Sequence, residues 1–142
     1  MPKGLTLRQR VAIAFTSGLV GGLSVVLFSH LLYNAGISQF LGVKEPASLA
    51  APEIYRPLVW GGIWGIPFGL VAKSVWERLY LFGFLYFIAP VIALYMVFLP
   101  MKGLGYFGLG VGLPFTVYLL AVNLPYGIVT AIVARILMGR NP

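Results

Sequence analysis

The hydrophobic pattern divides the chain into four long apolar runs separated by short polar or glycine- and proline-rich stretches. The runs cover about 11–33, 57–76, 79–99 and 113–137. Roughly 20 apolar residues suffice to carry a helix across the hydrocarbon core of a bilayer. The pattern therefore predicts an all-α polytopic membrane protein with four transmembrane helices, forming one membrane domain over 1–142. The connection between the second and third runs, "KSVWER", is short enough to make those helices antiparallel neighbours. The other two connections, about 34–56 and 100–112, are longer. In the first, Ile37, Phe40 and Leu41 recur at i, i+3 and i+4. That spacing gives either a short helix with one apolar face lying in the membrane interface, or a loop with scattered apolar residues. The second has five glycines from Gly103 to Gly112 and reads as flexible.

Composition removes the soluble alternative. With 60% hydrophobic and 9% charged residues, a soluble chain of this size would leave most of its apolar sequence facing water. Cysteine is absent and the only acids are Glu45, Glu53 and Glu77, so disulfides and thiolate metal sites are excluded. The net charge of +7 points to orientation rather than to nucleic acid. Lys3, Arg8, Arg10, Lys73, Arg78, Arg135 and Arg140 fall on one side of the four runs, and Lys44, Arg56 and Lys102 on the other. Positive charge accumulates on the cytoplasmic side, which predicts cytoplasmic amino and carboxyl ends. The basic start before Val11 resembles a signal peptide, but the apolar run is long enough to span and is expected to stay as the first helix.

Two segments repeat. "IPFGLVA" (66–72) and "LPYGIVT" (124–130) both read apolar, proline, aromatic, glycine, branched, valine, small. Both fall near mid-span in helices of the same direction. The spacing predicts a tandem repeat of two helical hairpins related by an axis along the membrane normal. Proline removes one helical hydrogen bond and crowds the carbonyl four residues earlier, so kinks are expected at Pro67, Pro90 and Pro125, all at one depth. Small residues recur every fourth position: Ala14, Gly18 and Gly22; Gly61, Gly65 and Gly69; Gly127 and Ala131. Such stripes allow close helix contact, either within this chain or with a partner. Trp60 and Trp64 share a side of the second helix. The third carries Phe82, Phe84, Tyr86, Phe87 and Tyr95, facing lipid, core, partner or pigment.

Candidate chemistry is sparse. Asn123 is the one strongly polar side chain at mid-depth and fits either a ligand contact or a bond to another helix. His30, the only histidine, fits an interfacial hydrogen bond better than a metal site, which needs further ligands. "GLGYFG" (103–108) matches the glycine spacing of a dinucleotide loop, but lies between membrane helices with no strand before it and no acid after it. Lys73, Glu77 and Arg78 suit a headgroup-level cluster. No carboxylate lies inside a run, which argues against a proton relay. The segment from Trp76 to Leu104, closing on "LPMKGL" and preceded by "GGIWGIPFGL", resembles bacterial inner-membrane proteins of the YagU type over about half the chain. The resemblance implies a bacterial cytoplasmic membrane location and supplies no catalytic residues. Together these features predict a non-enzymatic membrane protein. It is expected to be an accessory or structural subunit of a larger membrane complex, or else a small oligomeric transporter or channel with a midplane site at the kinked helices. No cofactor or metal is expected. Membrane lipid and other membrane subunits, or further copies of itself, are the expected partners, and a bound lipid, quinone or pigment would fit.

Overall fold

A computed structural model describes residues 4–139. Among them there are helices and turns and no strand. The helix α1 runs Leu7–Asn34, a short turn α2 covers Ile37–Phe40, and α3 runs Tyr55–Val71. A third long helix, Trp76–Met101, opens with a 3-10 turn, Trp76–Arg78. It continues as α4 (Leu79–Tyr86), α5 (Ile88–Ala93), a π-helical stretch Leu94–Phe98 and α6 (Leu99–Met101). The last, Leu113–Gly139, consists of α7 (Leu113–Val122) and α8 (Leu124–Gly139).

Three helices are long and apolar enough to cross a membrane: Leu7–Asn34, Trp76–Met101 and Leu113–Gly139, of 28, 26 and 27 residues. The boundaries correct those read from hydropathy. The first helix starts earlier because Thr6 and Gln9 form a capping box that satisfies its free N–H groups. The second ends at Val71 rather than Trp76. The chain turns over Lys73–Val75, and Trp76 opens the following helix.

The serine and threonine hydroxyls of α1 and α8 bond carbonyls of their own helix, as an apolar surrounding requires, whereas the buried Ser38 Oγ of α2 has no partner among the described residues. Ser17 Oγ donates to the Ile13 carbonyl at 2.7 Å and Thr130 Oγ1 to the Tyr126 carbonyl at 2.7 Å. The outward faces are bulky and apolar: Leu31, Leu81, Leu85 and Ile92 are each more than half exposed.

The core is built on backbone contact. The small residues of α1 and α3 meet in strict antiparallel register. A Cβ added at Gly18 would overlap the Gly61 carbonyl, one at Gly22 the Pro57 carbonyl, and one at Gly65 the Ala14 carbonyl. Gly69 closes the series, 2.6 Å from the Ala14 methyl and 2.9 Å from the Arg10 carbonyl oxygen when given a Cβ. A second seam joins α4 to α8, where a Cβ on Gly127 would collide with the Gly83 carbonyl and one on Gly83 with the Ala131 methyl. The stripes at Gly18, Gly22, Gly61, Gly65, Gly69, Gly127 and Ala131 thus face neighbours within this chain. Gly21, beside Gly22 but on another side of α1, meets Thr130 and Tyr126 of α8. Helix α1 therefore carries α3 on one face and α8 on another.

Gly18→Leu and Gly127→Leu are expected to lower unfolding stability in detergent by about 2–3 kcal/mol or more, since backbone cannot move aside for the added side chain. The exposed Val20→Leu should stay within about 0.5 kcal/mol. Denaturant titrations followed by circular dichroism measure both.

Candidate functional site: a cleft at the helix breaks

Proline decides where the long helices break. Pro90 has no N–H for the Tyr86 carbonyl, and α4 ends at Tyr86. Pro125 has none for the Ala121 carbonyl, and α7 ends one residue later, at Val122. The two breaks face each other: a Cβ on Gly127 would lie 2.9 Å from the Phe87 nitrogen. Pro67 lies inside α3, which continues past it to Val71 without a break, and the neighbouring Phe68 stacks on Phe82 at 5.8 Å. A further proline, Pro100, is accommodated by the π-helical stretch before it.

Asn123 occupies the break between α7 and α8. Its Nδ2 donates to the Leu119 carbonyl at 2.7 Å. The side chain thus caps its own helix where the backbone ladder is interrupted, rather than bonding another helix.

Three tyrosines tie the broken helices to their neighbours. Tyr86 Oη donates to the Trp64 carbonyl at 2.5 Å, Tyr126 Oη to the Gly61 carbonyl at 2.5 Å, and Tyr95 Oη to the Thr116 carbonyl at 2.6 Å. Bonds of this kind in membrane proteins average about 0.6 kcal/mol and reach about 1.7. The first lies one residue from the Ile63 carbonyl, which Pro67 leaves without its helical partner.

Beyond its break the third helix changes its contacts. Helix α4 packs along α8, whereas Val91, Tyr95 and Leu99 join Phe87 and Tyr126 in a buried cluster against which Val25, Trp64, Phe115 and Leu119 pack. A cleft of about 410 Å³ remains between the π-helical stretch and α3, within the range of about 300–1,000 Å³ usual for small-molecule sites. Trp60 and Trp64 form one wall, and Pro90, Leu94 and Phe98 the other. Val25 of α1 closes the back, and Asn123 and Tyr126 line the deep end beside the helix breaks. The rings of Trp60 and Phe98 meet edge to face at 5.1 Å. Arg56, at the start of α3, and Lys102, just past α6, stand at the mouth. Both are exposed, and no acid lines the cleft.

Other candidates lie apart from it. His30 Nε2 donates to the Ala47 carbonyl at 2.8 Å, and the Ala47 N–H donates to Ser29 Oγ at 3.0 Å. Adjacent residues of α1 thus hold both polar backbone groups of one loop residue, and the Nε2–H tautomer follows. Among the described residues no group of three or more His, Cys, Asp or Glu side chains is placed to hold a metal. "GLGYFG" forms a turn: Gly103, Gly105 and Gly108 have φ of +77°, +81° and +72°. Phe107 shares this left-handed conformation at φ +60°, unusual for a residue with a Cβ. Its carbonyl accepts from Thr116 Oγ1 at 2.5 Å and its ring packs on Tyr95 at 5.4 Å. At the opposite end, Arg135 lies 4.5 Å over the Trp76 ring and donates to the Trp76 carbonyl at 3.1 Å. Lys73, Glu77 and Arg78 line a second depression there, of about 590 Å³.

No protein-family description, curated protein or solved structure matches this chain.

The cleft brings together Asn123, Pro90, the two tryptophans and two of the three cations assigned to one side of the membrane. It leaves out His30, Pro67 and Pro125. Gly21, Gly83 and the three tyrosine ties escaped the sequence reading. Ser17 and Gly21 are four apart and carried a usable signal. Gly83 stands alone among aromatics and carried none.

His30→Leu should release the 35–54 connection at Ala47 while the helices stay folded. Hydrogen exchange measured by mass spectrometry should show faster exchange around Ala47, with the 10–26 amides unchanged.

Proposed function

We propose that this is a non-catalytic, four-span membrane protein whose working part is the cleft at the paired helix breaks, a binding site of the kind a small transporter uses at mid-membrane. The single observation carrying this reading is the cleft itself: a ligand-sized apolar space that ends on Asn123, where two proline breaks coincide. Broken helices with polar groups at mid-depth are how membrane transporters form substrate sites.

The fourth span is α3. Its 17 residues rise roughly 25 Å, and it runs in register beside α1 from Pro57 to Gly69. If α1 crosses the bilayer, α3 crosses with it. Arg10, Lys73, Arg78 and Arg135 then lie toward one end, and Lys44, Arg56 and Lys102 toward the other, supporting cytoplasmic ends in a bacterial inner membrane. Lys3 and Arg140 lie outside the described residues. The hairpin repeat draws support from Gly69 and Gly127. Each follows its proline by two residues and packs on a small residue of the preceding long helix, Ala14 or Gly83.

A second reading, an accessory subunit of a larger assembly, draws on the exposed aromatic and aliphatic face of the third helix, including Leu81, Phe84, Leu85 and Ile88. It draws less on the glycine stripes, which are occupied within the chain.

Two measurements test the proposal. The chain contains no cysteine, so single substitutions report sidedness. Lys44→Cys should react with an impermeant maleimide in intact cells, and Lys73→Cys only after permeabilisation; the reverse pattern, or equal labelling, rejects the topology. Leu94→Trp should fill the cleft and reduce, at least severalfold, any small molecule extracted from the gently purified protein. If wild type carries no such molecule and migrates only within a larger complex, the subunit reading replaces this one.

A further inference from the structure

The charge and polarity of the cleft specify its occupant. Its walls are apolar and aromatic over their length, its only charged lining residues are Arg56 and Lys102, and both stand at the mouth. An occupant must therefore be apolar along its body and anionic at one end. The two cations come from different elements, one preceding the tryptophan wall and one following the Phe98 wall. They bracket the position an anionic head would take. Arginine offers a fork of N–H donors and lysine a compact charge, a combination suited to a group with several acceptor oxygens. From Arg56 to Trp64 the helix rises roughly 12 Å, enough for part of one hydrocarbon chain. The space does not suit a second chain alongside.

We propose that the cleft binds a membrane lipid with a phosphate head, its phosphate between Arg56 and Lys102 and one hydrocarbon chain along Trp60, Trp64 and Phe98. This deepens the cleft reading and rests on it. The chain's end then approaches Asn123, whose Oδ1 and second N–H have no partner among the described residues. That leaves a polar limit to how deep an apolar chain can run.

The tryptophans supply the readout. Of the three in the chain, Trp60 and Trp64 line the cleft and Trp76 does not, so a Trp76→Phe background reports on the site. Delipidated protein in mild detergent is titrated with phosphatidic acid, phosphatidylcholine, oleate and inorganic phosphate, following fluorescence. Saturable change with phosphatidic acid is expected, weakened about thirtyfold in Arg56→Gln/Lys102→Gln, at about 1 kcal/mol per cation. Circular dichroism of the double variant should match wild type, because both side chains are exposed.

Equal binding of phosphatidylcholine, unaffected by the double variant, would overturn the charge assignment and leave the cleft reading standing. Oleate binding as tightly as phosphatidic acid would overturn the phosphate assignment. Inorganic phosphate competing at similar concentration would show a free anion site instead of a lipid site. No response to any amphiphile would overturn this proposal and the cleft reading together.

Discussion

The backbone contact between α1 and α3 is the constraint on which the rest of the molecule depends. In lipid, burying apolar surface against another helix gains little, because the surrounding chains are equally apolar. Attraction must come from dispersion and weak Cα–H···O contacts at short range. Four small-residue contacts set four residues apart supply this from Gly22 and Pro57 at one end to Arg10 and Gly69 at the other. Because glycines meet carbonyls, the register has no tolerance: a shift of one residue would drive Phe15 or Leu19 into the backbone of α3. With α3 fixed so closely, the next side of α1 is free to take α8 through Gly21, and α8 in turn takes α4 through Gly127.

The same economy of contact explains the cleft. Glycine contacts hold α4 to α8 only up to the paired breaks. Beyond Pro90 the third helix contains no glycine. Its direction is set instead by Tyr95, which bonds the Thr116 carbonyl and packs on Phe107. The π-helical stretch therefore follows α7 and the loop before it rather than α3. Trp60 meets Phe98 edge to face, yet the cleft remains around that contact. The opening is the geometrical consequence of a tight hairpin joined to a broken one.

Hydropathy made the long helices legible because their apolar runs exceed what any soluble core requires. The stripe of small residues revealed that backbones would meet, and Pro90 and Pro125 revealed where helices would break. Which stripe met which helix was not legible, since spacing along one helix fixes a face and not its neighbour. Pro67 looked equivalent to Pro125, yet α3 runs on past Pro67, while Pro125 stands at a helix break beside Asn123, whose side chain bonds the Leu119 carbonyl. The ends of α3 were obscured because Trp76, apolar by scale, belongs to the next helix. The cleft was least visible. Arg56, Trp60, Phe98 and Lys102 share no period, and only the divergence of two helices brings them together.

The position of Arg56 and Lys102 acquires a further meaning in the proposed orientation. Cations on the outer side work against the bias that sets topology, and three of the chain's ten lysines and arginines are placed there. Two of those three stand at the cleft mouth. The inner end carries Arg8, Arg10, Lys73, Arg78 and Arg135 among the described residues, which is ample to set the orientation despite them. Arg135 is itself anchored by Trp76 and Tyr80, at 4.5 and 5.9 Å from their ring centres. The two ends therefore use basic residues differently. At the inner end Arg135 is tied to two aromatic rings and to the Trp76 carbonyl. At the outer end Arg56 and Lys102 extend beside an opening whose walls offer them no acid, and a ligand carrying negative charge is the partner that this arrangement suits.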